Sequence, residues 1–260
     1  MKASPTLFFL IFMLFGSGYS QDPELTEVWE PVPDYVEPGR NTTAPPSDAD
    51  YLFDGSTLDE WMLQDGTEAD WIIENGSMRV NAESGDIKSR REFRDLHLYV
   101  EWRAPEVING EGQSRGNSGI FLQDRYEVQV LDNWENPTYV NGMAGSIYKQ
   151  HIPLSNPARR PGEWQAFEIF YRAPVFDGDE KLTEPARVTV LLNGVLVQNN
   201  VEIYGSTVYR GEPAYVYHGA DGIRLQNHGG DQVSFRNIWV REPDESVSRT
   251  NGITGQDNRN

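Results

Sequence analysis

The 260-residue chain contains no cysteine. Disulfide staples, thiolate nucleophiles and cysteine metal sites are therefore excluded, and the fold must hold by burial alone. Cations are also in short supply, with 22 Lys and Arg against 40 Asp and Glu, a formal net charge of −18. Such a surface repels nucleic acid and anionic membrane, so neither is expected as a partner. Histidine is scarce: His97, His151, His218 and His228 show no His-x-x-His or Glu-x-x-His spacing. A divalent metal ion would have to collect ligands from separate strands, with His228 and either Glu127 or Glu101 able to contribute. Long apolar runs are missing too, save for Leu7 to Phe15.

That one run, preceded by Lys2 and followed by small residues at Gly18 and Ser20, has the form of a signal peptide over residues 1–20. It implies export to a periplasmic or extracellular space, with no membrane span in the mature chain. Residues 21–49 are rich in Pro and acidic side chains and suit an extended leader, because proline can enter neither a helix interior nor a central strand. Residues 50–243 carry the periodic segments, and residues 244–260 form a polar tail.

Between those ends the period is two. "HLYVEWRA" sets Leu98, Val100 and Trp102 against His97, Tyr99, Glu101 and Arg103, and "GIRLQNH" separates Ile223 and Leu225 from Arg224, Gln226 and His228. "RVTVLLNGVLVQNN" is a hairpin, since Asn193-Gly194 supplies the two positive-φ positions of a tight turn. Many short strands without a long amphipathic helix predict an all-β, antiparallel sandwich.

The polar faces of these strands are unusual. Glu127 and Gln129 alternate on "RYEVQV", and Glu101, Arg224, Gln226 and His228 occupy similar positions elsewhere. On neighbouring strands they would make a cleft able to hydrogen-bond a polyhydroxylated ligand; on separate strands they would be an ordinary solvated surface. Gly112, Gly116 and Gly119 surround Asn117 just before a strand, a backbone suited to close ligand approach. Trp134, Tyr139 and Tyr148 offer flat platforms for sugar rings, although Trp134 could equally plug the end of the sandwich.

Five ordered blocks carry a resemblance: "LFDGSTLDEW", "NSGIFLQDRYEVQVLD", "GSIYKQHIPL", "RPGEWQAFEI" and "GIRLQNHGGDQVSFRNIWVRE". The chain resembles the 3-keto-disaccharide hydrolases, also described as 3-keto-glycoside 1,2-lyases and 2-hydroxy-3-keto-glucal hydratases. The resemblance implies a concanavalin A-like jelly roll of two antiparallel sheets and a 3-keto glycoside or disaccharide substrate supplied by an upstream sugar 3-oxidoreductase. It also implies roles. Glu127 is the base or a metal-facing carboxylate, His228 the proton carrier with Glu101 as its alternative. Gln129, Asn117 and Gln226 hold hydroxyl or carbonyl oxygens, and Arg224 or Lys149 stabilises an enolate. Lys149 and His151 depart from the smaller residues of many relatives. The alternatives are a non-catalytic carbohydrate-binding module and a conventional glycoside hydrolase, which would need a second carboxylate about 5 to 10 Å from Glu127.

Overall fold

In the computed structural model, residues 27 and 29–243 are described, and the signal and tail segments read from the sequence lie outside them. Short strands follow one another along the chain. β1 (Asp50–Phe53), β2 (Trp61–Leu63), β3 (Ile72–Glu74), β4 (Ser77–Arg79) and β5 (Ile87–Ser89) lead to the longer β6 (Leu96–Arg103). Then come β7 (Ser118–Leu122), β8 (Tyr126–Val130), β9 (Gln165–Arg172), β10 (Val175–Phe176) and β11 (Leu182–Glu184). β12 (Arg187–Leu192), β13 (Val195–Glu202), β14 (Arg224–Leu225) and β15 (Ser234–Arg241) complete the set.

Thirteen of them form two antiparallel sheets in a sandwich of jelly-roll type, and β10 and β11 pair as a separate two-stranded ribbon. The eight-stranded sheet runs β13-β12-β9-β6-β15-β4-β3, with β1 also paired to β15; the five-stranded sheet runs β2-β5-β14-β7-β8. Alternation fills the space between them. Leu98, Val100 and Trp102 of β6 and Phe167, Ile169 and Tyr171 of β9 meet Ile120, Leu122, Val128, Val130 and Leu225 in one buried cluster. The expected hairpin is present, with Leu192 opposite Val195 and positive φ at Asn193 and Gly194.

Residues 35–243 make one compact unit. Within it the last part of the predicted leader is docked rather than free: Asn237 Nδ2 and the Trp239 indole both donate to the Thr43 carbonyl, and Arg241 pairs with Asp48. Outside it, in residues 27 and 29–34, the Trp29 indole donates to Glu27 at 3.1 Å. Among the described residues no helix is long and apolar enough to cross a membrane.

One expectation fails at the level of topology. β6 belongs to the eight-stranded sheet, whereas β7, β8 and β14 belong to the other. Glu101 therefore does not share a face with Glu127 and His228. Its carboxylate is held by Arg236 at 2.6 Å and Asn237 at 3.0 Å, with the Tyr99 hydroxyl at 3.4 Å. The alternation of "HLYVEWRA" was correct; period two says which face of a strand is polar but not which sheet the strand joins.

Candidate active site

The outer face of the five-stranded sheet holds the polar residues that the strands share. Core burial of Tyr126, Val128 and Val130 forces Glu127 and Gln129 outward, and burial of Ile120 and Leu122 does the same for Gly119 and Phe121. Pairing then sets them in rows. Glu127 lies opposite Phe121, Phe121 opposite Arg224, and Arg224 opposite Lys88; Gln129 lies opposite Gly119, whose carbonyl accepts the Gln226 N–H at 3.0 Å.

Loops complete the walls. The outer edge of β8 is satisfied by residues 145–148: the Tyr148 N–H donates to the Glu127 carbonyl at 3.1 Å and the Gln129 N–H to the Ser146 carbonyl at 3.0 Å. Thr207 accepts the Glu127 N–H at 3.0 Å. Tyr148, Thr207 and Tyr209 thereby join Asn117, Phe121, Glu127, Gln129, Arg224, Gln226 and His228 around a cleft of about 330 Å³.

Glu127 is the unusual group in this cleft. It is 4% exposed, and among the described residues its carboxylate makes no hydrogen bond or ion pair. Burial pushes its pKa from the ordinary 4.5 up to about 8; the Arg224 cation opposes that rise and Asp86 adds to it. Room for the carboxyl comes from Gly119, where a Cβ would stand 2.6 Å from Glu127 Oε1 and 2.8 Å from Phe121 Cε2. Glu127 is also the sole carboxylate among the residues lining the cleft.

The other expected residues divide into those that face the cleft and those that support it. Gln226 and His228 face it, and His228 Nδ1 lies 3.7 Å from Asp231 Oδ2. Asp231 Oδ2 also accepts the Asn117 N–H at 3.0 Å. Asn117 is fully engaged: it donates to the Gln113 carbonyl at 2.7 Å and accepts from Gln129 Nε2 at 2.9 Å, so it orients Gln129. Arg224 contributes a flat guanidinium stacked 3.5 Å over Phe121, with its charge balanced by Asp124 and Asp86.

Lys149, Trp134 and Tyr139, like Glu101, are not in the lining. Lys149 donates to the Tyr209 carbonyl at 2.6 Å and sits 4.1 Å from that tyrosine's ring centre, bracing the rim instead of reaching an enolate. Trp134 lies under Arg160 at 5.2 Å, and its carbonyl accepts from Arg115. Conversely Phe121, Thr207 and Tyr209 line the cleft without having been foreseen. Phe121 was legible as the neighbour of Gly119 on the same strand face; Thr207 and Tyr209 come from a loop with no periodicity.

Two competing sites carry less. Ser114 stands in Gly-Gln-Ser-Arg-Gly, the spacing of a serine nucleophile elbow, but occupies a 3-10 turn instead of a strand-to-helix junction. A larger cavity of about 440 Å³ surrounds Glu101, Trp164 and Arg236 on the eight-stranded sheet, where Glu101 is already paired and Trp164 lies under Arg236 and Arg103. As for a metal, no group of three or more His, Asp or Glu able to hold one assembles among the described residues. Glu127 and His228 alone do not meet the donor set a divalent ion requires.

The family described as 3-keto-alpha-glucoside-1,2-lyase-like domain matches residues 48–241. The chain belongs to this family. A crystal structure of a candidate glycosyl hydrolase from Parabacteroides distasonis ATCC 8503 is 48% identical, with a TM-score of 0.83 over 88% of this chain and 100% of that one. A second candidate glycosyl hydrolase from the same organism shares the fold at 20% identity and a TM-score of 0.57, covering 76% of this chain and 94% of that one. No curated protein sequence matches significantly. Family and neighbour together support a carbohydrate-active function.

Proposed function

We propose that the chain cleaves 3-keto glycosides, with Glu127 as the base that removes the C2 proton. The observation that carries this reading is the single buried, unpaired carboxyl of Glu127, its pKa raised to about 8, opening into a cleft lined by amides and aromatic rings. A base titrating near neutral pH combines a useful ionised fraction with enough basicity to take a proton from carbon.

The electron count is closed without an oxidant. A ketone at C3 acidifies the C2 hydrogen. Glu127 takes the proton, and the C–H pair becomes the C2–C3 bond of an enolate with its charge on the C3 oxygen. When the ketone re-forms, that pair moves to C1–C2 and the C1–O bond leaves with its own electrons, receiving a proton from His228. The products are an alcohol and a 2-hydroxy-3-keto-glucal. Addition of water to that glucal, hydroxyl at C1 and proton at C2, completes net hydrolysis. Gln226 and the Tyr148 hydroxyl, which shares a 2.6 Å hydrogen bond with the Tyr139 hydroxyl, are among the neutral donors that line the cleft for the developing oxyanion. The C3 ketone must come from a separate sugar oxidoreductase, and if residues 1–20 direct export, as their pattern leads us to expect, the reaction runs outside the cytoplasm.

A conventional glycoside hydrolase is the weaker reading because it needs two carboxylates facing one bond. The cleft has one, and the nearby Asp86 and Asp124 are held by Arg224. A non-catalytic sugar-binding module would gain nothing from an unpaired buried acid, whose burial is unfavourable without a chemical use. The test is incubation of the protein in deuterium oxide with a glucoside and its 3-keto derivative. Deuterium entry at C2 and loss of the aglycone from the keto compound alone are expected. Cleavage of the unoxidised glucoside at a comparable rate would overturn the reading.

A further inference from the structure

A second cavity of about 290 Å³ adjoins the cleft at the end of β7, between Ala104–Asn109 on one side and Gly230–Gln232 on the other. The two have no lining residue in common but meet along the chain at two places. Gly116 lines the second cavity while the next residue, Asn117, lines the cleft; His228 lines the cleft while Gly230 and Asp231, in the same turn, line the second. The Asn117 N–H to Asp231 bond and the 3.7 Å approach of His228 to Asp231 cross this boundary. The histidine therefore lies on the cleft side, beside a carboxylate that lines the second cavity.

The chemistry of the second cavity differs from that of the cleft. Its charged groups are engaged: Arg115 and Asp132 are closed on each other at 2.7 Å and buried, and Asp231 accepts the Asn117 N–H. Its open wall is aliphatic: Val107 is 80% exposed and Ile108 54% exposed, apolar side chains left in water with Pro105 beside them. The amides Asn109 and Gln232 are the neutral polar groups on the rim. No aromatic ring is present to stack on a sugar.

From this arrangement we infer that the second cavity is a leaving-group subsite, and that it takes an aryl aglycone. A flat ring against Val107 and Ile108 would remove their surface from water, with ring hydroxyls reaching Asn109 or Gln232. The inference rests on the proposed reaction: the C1 substituent must depart from the cleft beside its proton donor, and this cavity is lined by Asp231, the carboxylate 3.7 Å from His228. The volume suits one six-membered ring.

The experiment compares 3-keto phenyl glucoside, 3-keto methyl glucoside and a 3-keto disaccharide on the wild-type protein and on a Val107→Ser/Ile108→Ser variant. Both positions are exposed, so the variant is expected to fold. Wild-type kcat/KM should favour phenyl over methyl, and the double substitution should lower that ratio about 10-fold or more, a change of the size that losing a few buried methylenes produces. A ratio within about twofold of wild type would overturn the subsite, and so would a strong preference for the disaccharide that the variant leaves intact. If the wild-type protein cleaves none of the three, the proposed reaction fails instead. The subsite is then read by calorimetry with the unoxidised phenyl and methyl glucosides: tighter phenyl binding that the variant abolishes supports it, and equal binding overturns it.

Discussion

Gly119 and Glu127 occupy a single side chain's worth of space: the hydrogen at Gly119 leaves the volume that the Glu127 carboxyl fills, and a Cβ there would lie 2.6 Å from Oε1. Gly119 does not have positive φ, so the requirement is for room and not for an unusual backbone. Gly119→Ala should therefore fold, displace the carboxyl or the Phe121 ring, and lower kcat by about 10²-fold, the lower range for losing a correctly placed base. Steady-state kinetics beside a thermal melt would check this. A variant that melts like wild type and keeps full activity would show that the space is incidental.

Glu127→Gln tests the same carboxyl through stability as well as rate. The raised pKa means that the folded protein holds the Glu127 proton after the unfolded chain has released it. Between about 4.5 and about 8 the native state binds more protons, so this group's contribution to stability falls as pH rises. Glutamine has no such slope. The variant should be close to wild type at pH 5 and more stable at pH 8.5 by an amount on the order of a few kcal/mol. Its activity should fall about 10²- to 10⁴-fold. Urea denaturation at the two pH values provides the check, and a pH-independent difference would contradict a buried, proton-holding Glu127.

What the sequence revealed and what it hid follow from the range of the forces involved. The alternation of Tyr126, Val128 and Val130 with Glu127 and Gln129 is imposed within one strand, so the outward carboxyl was legible. So was the Asn193-Gly194 turn, whose backbone demand is local. Glu101 was misplaced because assigning β6 to a sheet depends on its pairing with β9 and β15, residues far along the chain. Lys149 was misread for a related reason: a loop lysine with positive φ turned its ammonium to the Tyr209 carbonyl, a contact 60 residues distant. Tyr209 itself had no pattern to announce it.

The corrected position of Glu101 has a consequence of its own. On the outer face of the eight-stranded sheet it is tied to Arg236 and Asn237, and it does not line the cleft. Glu101→Gln should thus leave kcat/KM for a 3-keto glycoside within about twofold, while removal of a mostly buried partner of Arg236 destabilises the protein by about 1–3 kcal/mol. The two measurements together separate a structural acid from a proton carrier. A loss of turnover comparable to that of Glu127→Gln, in a protein that still melts cooperatively, would return Glu101 to the reaction.

Arg224 sits where electrostatics and catalysis meet. Its guanidinium neutralises Asp86 and Asp124, covers Phe121, and is the charge that holds the Glu127 pKa down against burial. Removing it should act on Glu127 in one direction. Arg224→Met leaves Asp86 without its cation and Asp124 with Lys88 at 3.6 Å, and deletes the stabilising partner of the ionised base, so the Glu127 pKa should move above about 8. A base works in its ionised form, so the ascending limb of kcat/KM against pH reports Glu127, and that limb should move to higher pH in the variant. Stability should fall by about 3 kcal/mol, because breaking a largely buried ion network leaves uncompensated charge. Lysine at this position should restore part of the limb and little of the stacking, since an ammonium cannot lie flat on Phe121 while bridging two aspartates. If the limb stays where it is in Arg224→Met, then the group that titrates in the rate is not Glu127.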